Sequence, residues 1–117
     1  MKPGLRTEWM GRKNVLLTHP RSRDVPCVLF RNIDVPDDKK STLALRVNNH
    51  PMGNWKLIVR IDGKSVLAKS IEDSKWQEFR VDLTEYAGNA ITAELENCAT
   101  GWSFEAAYWS QIEIQSE

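Results

Sequence analysis

The sequence is poor in the residues that most catalytic and metal-binding chemistries need. It has only two cysteines, Cys27 and Cys98, and their separation of 71 residues excludes a CxxC redox pair and a zinc knuckle of ordinary spacing. Two states of the pair stay open. They are buried free thiols or, in an exported parent protein, one disulfide whose long loop would add about 4 kcal/mol in the chain-entropy account. Histidine is as scarce, with His19 and His50 alone, so a histidine-based triad has few candidates. A Cys98–His50 thiolate pair has no local signature around it. GxSxG, P-loop, HExxH and GxGxxG patterns are all absent. The expectation is a protein that is not an enzyme.

An excess of one charge is missing too. Sixteen Lys and Arg balance sixteen Asp and Glu, which removes any general electrostatic grip on nucleic acid or on an anionic membrane. No apolar run approaches the roughly 18 residues of a membrane span, and the opening MKPGLRTEWMGRK lacks the apolar run of a signal peptide. From those residues alone, the chain is either cytosolic or a piece of a longer protein. The balance is global but not local. Residues 1–25 carry six bases and two acids, 26–71 eight bases and four acids, and 72–117 two bases and ten acids. The simplest expectation is that the basic and acidic parts attract one another as layers or strands.

What the sequence does have is alternation. At 117 residues, 41% hydrophobic and 27% charged, it suits one globular domain. From residue 27 onward apolar residues recur at a period of two rather than 3.6. Leu43, Leu45 and Val47 share one face, and Trp55, Leu57, Val59 and Ile61 another. Asp62-Gly63 is the residue pair of a tight hairpin turn into Lys64–Ile71. Trp76–Leu83 and Ala90–Leu95 read as strands around a short helical turn, Asp82–Gly88, closed by its glycine. Glu105–Gln115 reads as a last strand with Tyr108, Ile112 and Ile114 on one face and Trp109, Gln111 and Glu113 on the other. Val15–Thr18 and Cys27–Val35 complete about eight antiparallel strands, separated by Pro20 and Pro26. Such a set predicts an all-β, two-sheet β-sandwich or jelly roll over residues 13–117. Residues 1–12, with Pro3, Gly4 and Gly11 and no period, read as a linker or irregular segment.

Five tryptophans stand out beside three phenylalanines. The loop Val47–Trp55 packs Asn49, His50, Asn54 and Trp55 together, and the loop Cys98–Glu105 brings Trp102 and Glu105 before Tyr108 and Trp109. Amides satisfy hydroxyls as donor and acceptor, and an aromatic face covers the apolar side of a pyranose ring. These eight residues are therefore candidates for holding carbohydrate. Each has a structural alternative. Trp55 is in phase with Leu57 and Val59, Tyr108 with Ile112 and Ile114, and His50-Pro51 can simply shape a turn. Glu94 and Glu96 share a strand face and could flank a sugar, or form a solvated acidic face, which is commoner.

The pieces HPMGNWKLIVRIDGK (50–64), WQEFRVDLTEYAG (76–88) and ELENCATGWSFEAAYWSQIEI (94–114) resemble the galactose-binding-like jelly-roll modules appended to secreted bacterial enzymes, over roughly residues 26–116. The DLxxYAG segment is the most specific part. That resemblance implies a sandwich of carbohydrate-binding-module type, non-catalytic, holding a poly- or oligosaccharide in loops at one end, and an extracytoplasmic setting within a larger protein. It also implies a neighbouring domain as partner, and in the alternative reading the chain is a structural accessory domain contacting that neighbour or another protein without sugar. A structural calcium often accompanies the family. Asp34, Asp37, Asp38 and Glu113 are the available acids, but Asp37–Lys40 is also an ordinary solvated turn, so no metal or cofactor site is assigned.

Overall fold

The computed structural model describes residues 4–9, 12–20, 22, 24–100 and 105–117. Its nine strands are β1 (Gly4–Trp9), β2 (Arg12–Thr18), β3 (Cys27–Asp34), β4 (Ser41–Asn49), β5 (Trp55–Ile61), β6 (Lys64–Ile71), β7 (Gln77–Asp82), β8 (Ala90–Cys98) and β9 (Ala107–Ser116). They form two antiparallel sheets, β1-β2-β9-β4-β7 and β3-β8-β5-β6. The architecture is the expected all-β sandwich, and no helix among the described residues is long and apolar enough to cross a membrane.

The period-two faces meet between the sheets. Leu43, Leu45 and Val47 of β4 lie against Trp55, Leu57, Val59 and Ile61 of β5 and Ile91, Ala93 and Leu95 of β8, all buried in one cluster. Each such side chain contributes about 1.5–3 kcal/mol by leaving water. The β5–β6 hairpin turns at Asp62 (φ 50°) and Gly63 (φ 83°), the two positive φ values that a two-residue turn matched to strand twist requires. The short helical turn is a 3-10 turn at Thr84–Tyr86, followed by Gly88 at φ 81°. Basic and acidic parts of the chain do attract one another across neighbouring strands, through Arg46–Glu78 between β4 and β7 and Arg60–Glu96 between β5 and β8.

Two expectations are corrected. Residues 4–9 are not an irregular linker but strand β1, in antiparallel register with β2 from Gly4↔Leu17 to Trp9↔Arg12. Leu5, Thr7 and Trp9 alternate with Arg6 and Glu8, but the run is short and bounded by Pro3, Gly4 and Gly11, so it reads as irregular. The second correction is the phase of β9. The register with β4 passes from Val47↔Trp109 to Arg46↔Gln111, leaving Ser110 as an extra residue. A one-residue bulge exchanges the faces of everything before it. Trp109 therefore joins Ile114 against the main core, while Tyr108 turns to the outer face of its sheet and packs with Val15, Leu17, Ala106 and Trp76.

The two cysteines are free. Cys27 pairs in register with Asn97, so Cys98, one residue on, points to the opposite face of the same sheet, and a disulfide between them is geometrically barred.

Candidate functional site

One end of the sandwich collects the β4–β5, β6–β7 and β8–β9 loops, together with the ends of β2 and β8. It is built from buried polar side chains. Asn49, at the last position of β4, donates through Nδ2 to the carbonyls of Gly53 at 2.7 Å and His50 at 3.0 Å, and its Oδ1 accepts from the Ser74 amide at 2.9 Å. One amide thus shapes its own loop and ties it to the β6–β7 loop. His50 Nδ1 accepts from the Met52 amide at 3.0 Å, which bends the chain after Pro51. Beneath these, Thr18 Oγ1 accepts from Asn97 Nδ2 at 3.1 Å and from the Trp109 indole at 2.9 Å. The Trp55 indole donates to the Asn48 carbonyl at 3.0 Å. The Trp55 and Trp109 rings meet across the sandwich with centroids 5.2 Å apart and planes tilted by 50°, an arrangement aromatic pairs favour.

This geometry sorts the eight candidates. Trp55, Trp109 and Tyr108 are 0%, 2% and 4% exposed. As ring-stacking residues they are corrected, because a buried ring offers no face to a sugar. The cause is the in-phase position for Trp55 and the Ser110 bulge for Trp109. Tyr108 is covered by the outer cluster. They form the floor that fixes the loop bases. Asn49 is buried with both ends of its amide engaged, so it positions loops. His50 and Asn54 are half-buried. Asn54 lies at the lip, where its Oδ1 accepts from the Thr100 hydroxyl of the β8–β9 loop. The same hydroxyl is 3.5 Å from both carboxylate oxygens of Glu105, itself 1% exposed. Trp102 lies outside the described residues.

Several contributors are absent from the sequence-derived set: Thr18, Asn48, Ser74, Asn97 and Thr100. Two left a readable signal. Asn97 continues the core phase of Ile91, Ala93 and Leu95, and Thr18 that of Leu16. A polar residue in core phase at a strand end marks a site where side chains replace the ladder as hydrogen-bond partners.

The remaining candidates are dispersed. Glu94 and Glu96 lie on the outer face of β8, with Glu96 paired to Arg60. Burial pushes the Cys27 and Cys98 thiols up, and Glu96 pushes Cys98 further, the wrong direction for a thiolate nucleophile. Among the described residues no three His, Cys, Asp or Glu side chains gather as metal ligands. Glu113 is engaged by Gln111 Nε2 at 2.7 Å.

No protein-family profile matches the chain, and no curated protein does. Solved structures do. The C-terminal domain of EclA, described as a sugar-binding protein, superposes with a TM-score of 0.68 at 10% identity over 86% of this chain and 76% of its own. The CBM51 module of a GH95 protein from Clostridium perfringens, solved with methyl-galactose, gives 0.66 at 15% identity over 97% and 77%. The CBM22-1 xylan-binding domain of Xyn10C from Paenibacillus barcinonensis gives 0.63 at 14% identity over 98% and 80%. The chain has the jelly-roll fold of carbohydrate-binding modules.

Proposed function

We propose that this chain is a non-catalytic carbohydrate-binding domain that holds its glycan at the loop end of the sandwich. The observation that carries the reading is the junction of the β4–β5 and β8–β9 loops at Thr100, whose hydroxyl reaches both Asn54 and Glu105. The Asn54 amide and the Thr100 hydroxyl stand at the lip, above the buried Glu105 carboxylate, and offer a donor and acceptors of the kind sugar hydroxyls use. The single proton of the Thr100 hydroxyl goes to Asn54, and the buried Glu105 carboxylate lies 3.5 Å behind it. Trp102, between Thr100 and Glu105 in sequence, takes the stacking role. The fold shared with modules solved as sugar binders supports the reading, as does the rigid floor beneath the loops. Preorganised loops lose less entropy on binding.

A glycan array followed by calorimetric titration of each hit tests it. The expected outcome is micromolar to millimolar affinity, as a few contacts worth about 1 kcal/mol each would give. Trp102→Ala and Asn54→Ala should abolish retention on the polysaccharide with little change in melting temperature. A silent array, or hits that both variants bind as well as the parent, would overturn the proposal.

A further inference from the structure

Away from the loop end, the sandwich is not closed along one side. The register of β2 with β9 covers only Leu16–Thr18 against Trp109–Ala107. Beyond the Ser110 bulge, β9 has β4 as its sole neighbour among the described residues. The edge strand of the other sheet, β3, runs beside this gap. Between them lies a cavity of about 270 Å³ whose walls include Leu16, Leu29, Ile33, Leu95, Ile112 and Ile114.

Three consecutive residues of β9, Ile112 to Ile114, and three of β3, Leu29 to Arg31, line this cavity. Alternate residues of a strand face opposite ways, so a run of three means that the cavity meets each strand at its edge as well as its face. It is bounded mainly by apolar side chains, with Arg31 and Glu113 also in its lining, and by the main-chain edge of β9. Ile112 is on the core face yet 43% exposed, and Phe30, on the outer face of β3, is 73% exposed. Arg31 pairs in register with the buried Ala93, so it stands on the core-facing side of β3. Its guanidinium makes no ion pair among the described residues. Ser110 Oγ and Gln111 Oε1, where β2 leaves β9, are buried side-chain atoms with no hydrogen-bond partner.

We propose that this seam receives an extended segment of another polypeptide, which adds to the edge of β9 that no described strand pairs and continues the line of the β2–β9 ladder. The combination selects the occupant. An alkyl ligand fills an apolar cavity but leaves strand-edge amides and carbonyls to water. A strand satisfies them and sends every second side chain inward. The inward set of the segment is apolar, to meet Leu29, Ile112 and Ile114, with one acidic residue at the level of Arg31. The cavity volume sets the number of inward apolar residues at about two, since a valine or isoleucine side chain fills on the order of 100 Å³.

The test uses the full chain, isotope-labelled, and the peptide Lys-Thr-Val-Thr-Val-Thr-Glu-Thr-Lys. Its expected result is amide signal shifts confined to Leu29–Ile33 and Ser110–Ser116, with hydrogen exchange over Gln111–Ser116 slowed about tenfold at saturation. Arg31→Glu should weaken binding about fivefold, as loss of a partly exposed ion pair does, and a peptide carrying Lys in place of Glu should recover it. Arg31→Gln serves the same purpose if charge reversal disturbs folding. No shift at about 1 mM peptide, shifts only at the loop end, shifts without slowed exchange on β9, or indifference to Arg31 would each overturn the proposal.

Discussion

The two ends of the sandwich hold their loops by different means. At the end opposite the candidate site, main chain mostly binds main chain, with the exposed Asp62 and Asp82 as side-chain acceptors. Val35 N donates to Asn89 O at 3.0 Å, Gly88 N to Val35 O at 2.9 Å, Leu83 N to Ser41 O at 2.9 Å and Asp62 N to Thr92 O at 2.9 Å. The side chains there, from Asp37 to Lys40 and from Asp62 to Ser65, are solvated. At the candidate site, buried side chains do the same work, and each one ties two elements: Asn49 two loops, Thr18 the ends of β8 and β9. Backbone pairing makes a turn tolerant of sequence. Side-chain pairing makes the loops answer to single residues, and a buried group that loses its partner costs about 1–3 kcal/mol.

The sharpest break of that contrast is at its floor. Trp109→Ala removes a buried ring, its contact with Trp55 and a hydrogen bond to Thr18, so a destabilisation of about 3–5 kcal/mol is expected in chemical denaturation. An unchanged midpoint would show that the ring is not packed. Next comes Asn49→Ala, which leaves the Ser74 amide and the Gly53 carbonyl unpaired, for about 1–3 kcal/mol and a loss of sugar affinity as the loops part. Asp37→Ala, in the solvated β3–β4 loop, should move stability by less than about 0.5 kcal/mol. Equal effects at the two positions would erase the difference between the ends. At the far end the backbone itself is the sensitive element. Gly88 sits at φ 81°, and a Cβ placed there would lie 3.3 Å from Asp37 Cβ, so Gly88→Ala should cost about 1 kcal/mol or more.

The sequence disclosed most of the fold where a strand alternates without interruption. Leu43–Val47, Trp55–Ile61 and Ile91–Leu95 were legible because one face is buried along their whole length. Two places hid themselves for physical reasons. The alternation of β1, Leu5, Thr7 and Trp9 against Arg6 and Glu8, is too short and too closely bounded by Pro3, Gly4 and Gly11 to stand out. β9 alternates on either side of Ser110, and an insertion of one residue between two regular halves leaves the composition of each face looking sensible while exchanging Tyr108 with Trp109. That exchange also misplaced the candidate site, since ring-bearing residues in loop-like contexts belong to its floor. The site was legible in Asn54 at the lip and in Glu105 buried beneath it, since both lie in polar loops. Thr100, which joins them, has no signal of its own, because its role depends on two loops meeting in space.

The smallest expected effect is electrostatic and belongs to the far end. Asp82 closes β7, and its Oδ1 accepts from the Thr84 hydroxyl and from the Thr84 amide at 2.9 Å. Those two bonds hold its carboxyl below the ordinary value of 3.8. A carboxylate whose native pKa is depressed adds stability that is complete above the unfolded value and disappears as pH falls through the native one. The window therefore lies below about pH 4. Asp82→Asn keeps an acceptor for the Thr84 amide but cannot titrate, so near neutral pH the variant should melt close to the parent. Between pH 5 and pH 2 the parent should lose more, by about a degree in midpoint, given the solvent exposure of the pair. Both proteins retain Glu78, whose carboxyl is held low by its hydrogen bond to Arg46 and then by Arg80, so the acid loss they share cancels in the difference. Parallel profiles would mean that the Thr84 bonds add nothing to the turn, leaving Leu83–Asn89 to its main-chain hydrogen bonds alone.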